Sequence, residues 1–453
     1  MRIPNTRLPA ALSVLPLALL PVLCAAARPA AKADLNRIIN ESAGFLKNRE
    51  PEMTGAEYAL YEKVVAMLAV QPEFAMQLLD SMMSGKERPS AAFEFVLGNA
   101  HYNAGRHADA ETHYRRAIER YPDYLRAWAN LGVLYYTTGR YGEAVRCLSQ
   151  AVELGDNTTD TLGLMAYALQ RTGNPVAAEM AYLRALSAAP ENVDWIEGLC
   201  GLYVESAQFA RAESLARQLV RLQPREVRHW LQLAGTLIAR ERRSDAAVVL
   251  ESARALQVAN TELLLQLGDL YAQQQFTAEA ALAYREAMRS DAPLGAKRLI
   301  TLAQLAGQQG QSQRALELLA AAEKDLPTEV RTEFLQARAD LLVARKEWAA
   351  ARRCLEGLLA ERPLCGTALL RLGQACKAEQ ATSAAQQAFE AAAQIPESAY
   401  LAHLELADLE LRARHFQACI GHLEEALQRE RSPAIQEYLG KVKLLASQNE
   451  TQP

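Results

Sequence analysis

The sequence predicts an all-α protein built as a solenoid of antiparallel helix pairs, and three observations predict it. Apolar residues recur at i, i+3, i+4 and i+7 along most of the chain, the spacing of one helical face. Short turns cut that pattern into helix pairs, and from residue 91 the pairs return every 34 residues. Aromatics are few, at 6%, and Ala and Leu abound, as in all-helical chains. The 453 residues are 50% hydrophobic with a net charge of −4, ample for a core and too balanced for a nucleic-acid binder.

Residues 1–33 are of a different composition. Arg2 and Arg7 precede an apolar run from Leu8 to Ala27, and Ala25-Ala26-Ala27 or Ala31-Lys32-Ala33 offers a small-x-small cleavage site. This reads as a secretory signal peptide, which predicts a secreted, periplasmic protein. A retained anchor is the alternative. Pro9, Pro16 and Pro21 oppose a stable spanning helix, and the run barely reaches the roughly 20 residues a span needs. Lipidation at Cys24 is disfavoured by the large Leu23 before it. No later stretch is long and apolar enough to span a membrane.

Residues 34–54 read as a linker. Residues 55–90 hold two helices, Ala56–Val70 and Glu73–Met83, joined at Pro72, with apolar spacing that fits a helical hairpin. Residues 91–294 then divide into six regular units, beginning at 91, 125, 159, 193, 227 and 261. The clearest begins at Leu125. Trp128, Leu131, Gly132 and Tyr135 share one helical face, Thr138-Gly139-Arg140 makes the turn, and Ala144, Leu148 and Ala151 form the facing stripe.

That Trp-x2-Leu-Gly-x2-Tyr…Ala-x3-large pattern resembles a tetratricopeptide repeat (TPR), with Asp156 where a closing Pro is usual. The pattern holds in Leu97, Gly98, Ala110 and Tyr114, in Ala166, Ala178 and Tyr182, and in Leu267, Gly268, Ala280 and Tyr284. The register slips by one residue near Ala292-Pro293-Leu294-Gly295. Four less regular units follow over 296–433, with two further residues intruding before the unit at 332. The resemblance implies a right-handed superhelical solenoid in which each pair buries its flanks against the next. The pair at 55–90 then reads as a degenerate N-terminal cap, and 434–447 as a C-terminal capping helix. Residues 448–453 read as a disordered tail.

Chemistry-bearing constellations are absent from the pattern. There is no phosphate-binding Gly loop, no G-x-S-x-G and no H-E-x-x-H. His101, His107 and His113 are spaced by six, which puts them on different elements of one hairpin, whereas metal-binding pairs on a helix want three or four. They read as partly exposed, as do His415 and His422. No catalytic residue, metal or cofactor is expected, and no enzyme. Cys200, Cys376 and Cys419 read as small core residues, while pairing of Cys354 with Cys365 is left open.

In the TPR family the first helix of each pair lines the inner wall. Carried over, this implies a peptide-binding groove at Phe95, Asn99, Tyr102, Asn103, Asn130, Tyr136, Tyr167 and Arg171. Asn can donate to and accept from a peptide backbone, and Tyr gives large contact area. The alternative is that Tyr102, Tyr136 and Tyr167 pack between units. Replacing Tyr136 and Asn130 by Ala is expected, on the groove reading, to weaken partner capture with melting nearly unchanged. Asn99 and Asn130 match two positions of the TPR domains that clamp a C-terminal carboxylate, but Phe95, Asp160 and Leu164 stand where that clamp needs cations, so such a ligand would be desolvated unpaired. The later wall mixes Leu231, Leu265, Ile300, Leu370 and Leu404 with Asp269, Asp340 and Asp408, which suits an amphipathic helix. The expected function is a non-catalytic scaffold of the cell envelope that docks a protein or peptide partner. The alternative is an accessory subunit of an envelope enzyme complex, in polysaccharide synthesis, export or glycosyl transfer.

Overall fold

The computed structural model describes residues 49–83, 90–323 and 325–450. The expected signal peptide, most of the linker and the last three residues lie outside them. The described residues form twenty-three α-helices and one 3-10 turn, with no strand among them. The chain divides into two compact units, with the boundary between Val258 and Ala259. The change of register near residue 294 falls inside the second unit and is a separate feature.

The described part of the first unit holds α1 (Gly55–Val70), α2 (Pro72–Met83), α3 (Ala91–Asn103), α4 (His107–Arg120), α5 (Leu125–Thr137), α6 (Tyr141–Glu153), α7 (Thr159–Arg171), α8 (Pro175–Ala188), α9 (Val193–Glu205), α10 (Phe209–Leu222), α11 (Val227–Ala239) and α12 (Arg243–Ala255). The second unit holds α13 (Thr261–Gln273), α14 (Thr277–Ala287), α15 (Ala292–Gln308), α16 (Ser312–Glu323), α17 (Arg331–Ala344), α18 (Trp348–Glu361), α19 (Gly366–Ala378), α20 (Thr382–Ala393), α21 (Pro396–Arg412), α22 (Phe416–Arg429) and α23 (Pro433–Glu450). Within each unit, consecutive helices pack as antiparallel pairs and each pair packs on the next.

A backbone signature recurs with the repeat. The second residue after each first helix takes a left-handed conformation at Gly105, Gly139, Gly173, Ala207, Glu241 and Gln275, each 34 residues from the last. It then recurs after 35 residues at Gly310, after 36 at Lys346, and after 34 again at Gln380 and Arg414. This conformation ends the helix and sends the chain back antiparallel. The added residues are taken up between pairs. Helix α15 is lengthened to 17 residues behind its Asp291 cap, and the 3-10 turn Thr328–Val330 leads into α17.

The core is a three-position lock. In each second helix a small residue is fully buried where the pair crosses: Ala110, Ala144, Ala178, Ala212, Ala246, Ala280, Ala315, Ala351, Ala385 and Cys419 are all 0% exposed. Four residues on stands a second buried position, large in Tyr114, Leu148, Tyr182, Leu250, Tyr284, Leu319, Leu355, Phe389 and Leu423. It faces a small residue of the first helix. At Gly98 an added Cβ would lie 2.5 Å from the Tyr114 ring, and at Gly268 it would collide with the Tyr284 ring. Helix axes come this close only where one partner is small. The tyrosine tips find acceptors on the first helix: Tyr114 donates to Asn99 at 2.8 Å and Tyr284 to Asp269 at 2.6 Å.

Local chemistry fits the joints. Trp128 and Trp230 each donate their indole N–H to the carbonyl six residues earlier, Pro122 and Pro224. Asp156 stands in for the closing Pro by accepting from the Thr158 amide at 3.1 Å and from Thr161 Oγ1 at 2.7 Å, so it fixes the loop ahead of α7, whose N-cap is Thr158. Residues 49–54, the end of the expected linker, are tied to the array. Arg126 holds Glu50 with two bonds of 2.6 Å, Arg49 pairs with Asp123 at 3.1 Å, and Thr54 with Glu57 forms a capping box on α1. The six described cysteines are free, Cys354 and Cys365 included. Cys200, Cys376 and Cys419 are buried as small core residues, and burial pushes the Cys200 thiol up to about 12.

Candidate functional site: the face of the first helices

First helices of adjacent pairs are joined by a polar stitch that spans 31 residues. Asn130 donates to Asn99 at 2.8 Å, Arg228 pairs with Glu197 at 2.8 Å, Arg371 with Asp340 at 2.7 Å, and Gln374 donates to Glu405 at 3.2 Å. The offset is the repeat length less about one helical turn, so residues in successive first helices come level. Neighbouring pairs add to it. Arg298 lies 3.4 Å from Asp269, and Lys377 reaches Asp408 at 2.7 Å. The wall expected to be acidic therefore has its three aspartates matched by cations of an adjacent repeat. Burial raises the Asp269 and Asp340 carboxyls above the ordinary range, and the nearby Arg298 and Arg371 work against that rise.

The second helices carry a parallel device. Glu111, Glu179 and Glu213 occupy one repeat position. Glu111 accepts from Tyr135 at 2.9 Å and from Arg140 at 2.7 Å in the next pair, and Glu179 accepts from Tyr203 at 2.9 Å and from Arg211 at 2.8 Å. Glu213 gathers Arg217, Arg240 and Arg242. A half-exposed pair alone adds little, but a carboxylate shared by several donors on two repeats fixes their spacing.

Of the eight residues expected to line the groove, five are buried: Phe95 at 2% exposure, Tyr102 at 5%, Asn130 at 0%, Tyr136 at 3% and Tyr167 at 8%. Phe95 lies against the Tyr124 ring at 5.1 Å, with the Arg126 guanidinium 5.0 Å over its face. Tyr102 meets His107 edge-on at 5.5 Å. Tyr136, Tyr141 and Tyr167 form an edge-to-face trio across two repeats at 5.5 to 6.0 Å, with Arg171 5.8 Å above Tyr141. Asn99 is half-buried, while Asn103 and Arg171 are exposed. Melting is therefore not expected to stay unchanged when Tyr136 and Asn130 are replaced by Ala, because both side chains are packed.

The histidines depart from expectation as well. His101 and His113 are buried, at 6% and 7% exposure, although both read as partly exposed in the sequence. Their rings stack 5.1 Å apart with a 4° interplanar angle. The spacing rule applied to one helix, and these two residues sit on opposite arms of one hairpin. His107 is exposed. His403 and His422 also meet across the last pair, but with their rings tilted by 33° and their Nδ1 atoms 3.3 Å apart, while His415 is exposed.

No helix among the described residues is long and apolar enough to cross a membrane. The sequence profile described as tetratricopeptide repeat matches residues 95–157 and 337–400, one stretch in each compact unit. The chain is 34% identical over 85 residues to stress-induced-phosphoprotein 1 of Caenorhabditis elegans, covering 19% of this chain and 27% of that protein. It is 27% identical over 130 residues to a TPR repeat-containing protein of Halalkalibacterium halodurans, covering 29% of this chain and 58% of that one. It thus spans about a quarter of the first relative and just over half of the second. Among solved structures, a tetratricopeptide repeat protein from Parabacteroides merdae is similar at 16% identity and a TM-score of 0.36, over 60% of this chain and 92% of that one. With the profile matched in both units, the small lock position returning in all ten pairs from residue 91 and the large one in nine of them, the chain carries tetratricopeptide repeats.

Proposed function

We propose that this chain is a non-catalytic scaffold that docks a peptide or helix of a protein partner along the face of its first helices, and that it works in the cell envelope after export. Tetratricopeptide repeat proteins bind protein or peptide partners. The observation that carries the reading is that every helix among the described residues belongs to a repeat pair or to the helices flanking the array. Within each unit, such stacked pairs offer a rigid surface for a partner. Asn103 and Arg171 are the exposed groove positions through which a partner is contacted. Their spacing is set before binding by the Asn99–Asn130 bond between α3 and α5 and by the Tyr136–Tyr141–Tyr167 rings between α5–α6 and α7, which lowers the ordering cost of association. Export is supported by the composition of residues 1–33, with basic residues, then an apolar run, then small residues.

Two measurements test this. Expressed in full in a Gram-negative host, the protein is expected in the osmotic-shock fraction with a mature start at Arg28 or Asp34. A cytosolic product beginning at Met1 rejects the export reading. Arg171→Glu combined with Asn103→Ala is expected to lose the partner that wild type captures from native envelope, with an unchanged circular dichroism spectrum. Equal capture by the double variant rejects this face as the docking surface.

A further inference from the structure

We propose that Asp80, His101 and His113 bind one divalent transition-metal ion of the zinc class, and that the ion ties the N-terminal helix pair to the first full repeat. The three residues come from three helices: Asp80 from α2, His101 from α3 and His113 from α4. One ligand atom from each lies within 4.8 Å of the other two, and His113 Nε2 is 3.6 Å from Asp80 Oδ1. A tetrahedral ion with bonds of about 2.0–2.1 Å holds its ligand atoms about 3.4 Å apart, so the group is slightly open and a small side-chain rotation closes it. Asp80 is half-exposed and can make that movement, whereas the two imidazoles are packed.

Two further features point to an ion. Neither ring nitrogen of His101 has a hydrogen-bond partner, although the side chain is more than nine-tenths buried. Leaving such a group unsatisfied is costly, and a metal bond satisfies one of the two nitrogens. The Nδ1–H of His113 donates to the buried Glu94 at 2.7 Å, which turns the Nε2 lone pair toward Asp80. This is the carboxylate–histidine–metal arrangement that fixes a ligand's tautomer and orientation.

The charge balance agrees. Arg106 pairs with Glu73 at 3.1 Å, and Asp109 Oδ2 stands 3.8 Å from His101 Nδ1. Two imidazoles and one carboxylate suit zinc, cobalt and related ions over magnesium or calcium, which prefer all-oxygen sites. Three protein ligands leave a fourth position for water on the Asp80 side.

The experiment uses chelator-stripped full-length protein titrated with Co2+, read by visible absorption, then with Zn2+ in competition. One equivalent is expected to bind, with affinity at least tenfold weaker in Asp80→Asn and in His101→Gln. Glu94→Gln, which removes the orienting group, is expected to weaken binding by about 10–100-fold. His403→Gln with His422→Gln removes the other histidine pair and is expected to leave this binding intact. Zn2+ is expected to raise the melting temperature of wild type and not of Asp80→Asn, whose exposed site keeps the variant folded. The proposal is overturned if no saturable equivalent binds, if Asp80→Asn and His101→Gln bind as wild type does, or if binding disappears with the His403/His422 pair instead.

Discussion

The first and last full repeats, α3–α4 and α21–α22, solve one packing problem with different side chains. At the close crossing the first pairs Gly98 with Tyr114 and the last pairs Ala407 with Leu423. At the turn the first has Gly105 in the left-handed conformation and the last has Arg414. At the fourth and twenty-third repeat positions the first sets Glu94 against His113 at 2.7 Å, and the last sets His403 against His422 at 3.3 Å. The backbone path is shared, so the repeat constrains the summed volume across the crossing and the hand of the turn. It leaves the identity of each residue free, and a partner can be changed only if its opposite number changes too.

The largest effect expected from this comparison comes from emptying the crossing. Tyr114→Ala should cost about 3–5 kcal/mol and Leu423→Ala about 2–5 kcal/mol, measured by urea unfolding, with hydrogen exchange locating the loss in the mutated pair. If either falls below about 1 kcal/mol, that crossing is not the anchor described. A swap sharpens the point. Gly98→Ala alone is expected to cost about 1–3 kcal/mol by crowding Tyr114, and adding Tyr114→Leu should recover most of it because the last repeat's pair has then been transplanted. Simple additivity of the two losses would break the comparison.

Acid should act at both ends. Burial lowers the pKa of His403, His422 and Arg429 lower it further, and Glu425 opposes them. An imidazole lowered by folding takes up a proton less readily in the folded chain, so stability is intact at neutral pH and falls as pH drops through about 6.5 toward the folded-state value. In metal-free protein, melting at pH 7.5 and 5.5 should differ less in His403→Gln with His101→Gln than in wild type. An unchanged difference would remove the histidines as the cause. The smallest effect concerns the turns: Arg414→Gly should gain and Gly105→Ala lose about 0.5–1 kcal/mol, because only glycine adopts that conformation without strain.

The fold was legible because its determinants are spaced along the chain. Ala110, Ala144 and Ala178 announce the crossing by recurring at one interval, and Asp156 still marks its loop where Pro is missing. The groove was less legible. Helical phase placed Tyr136 and Tyr167 on the right helices, but not the aromatic trio that Tyr141 completes from a second helix. His101 and His113 were missed because the spacing test stayed on one helix. The available signal was that both flank the Gly105 turn, where residues on the two arms of a hairpin come face to face. The stitch of Asn99 to Asn130 depends on how one first helix slides past the next, which no pattern within a single repeat contains.

The left-handed residues also act as fixed milestones. Their interval stretches only between Gln275 and Lys346, and the surplus is stored in the joints before α15 and α17, outside the paired helices. The seam from Pro327 to Val330 is therefore where this chain tolerates extra length without rethreading its core. A reporter peptide inserted there would leave both flanking hairpins in phase, whereas one residue added within α18 would turn Ala351 out of its crossing.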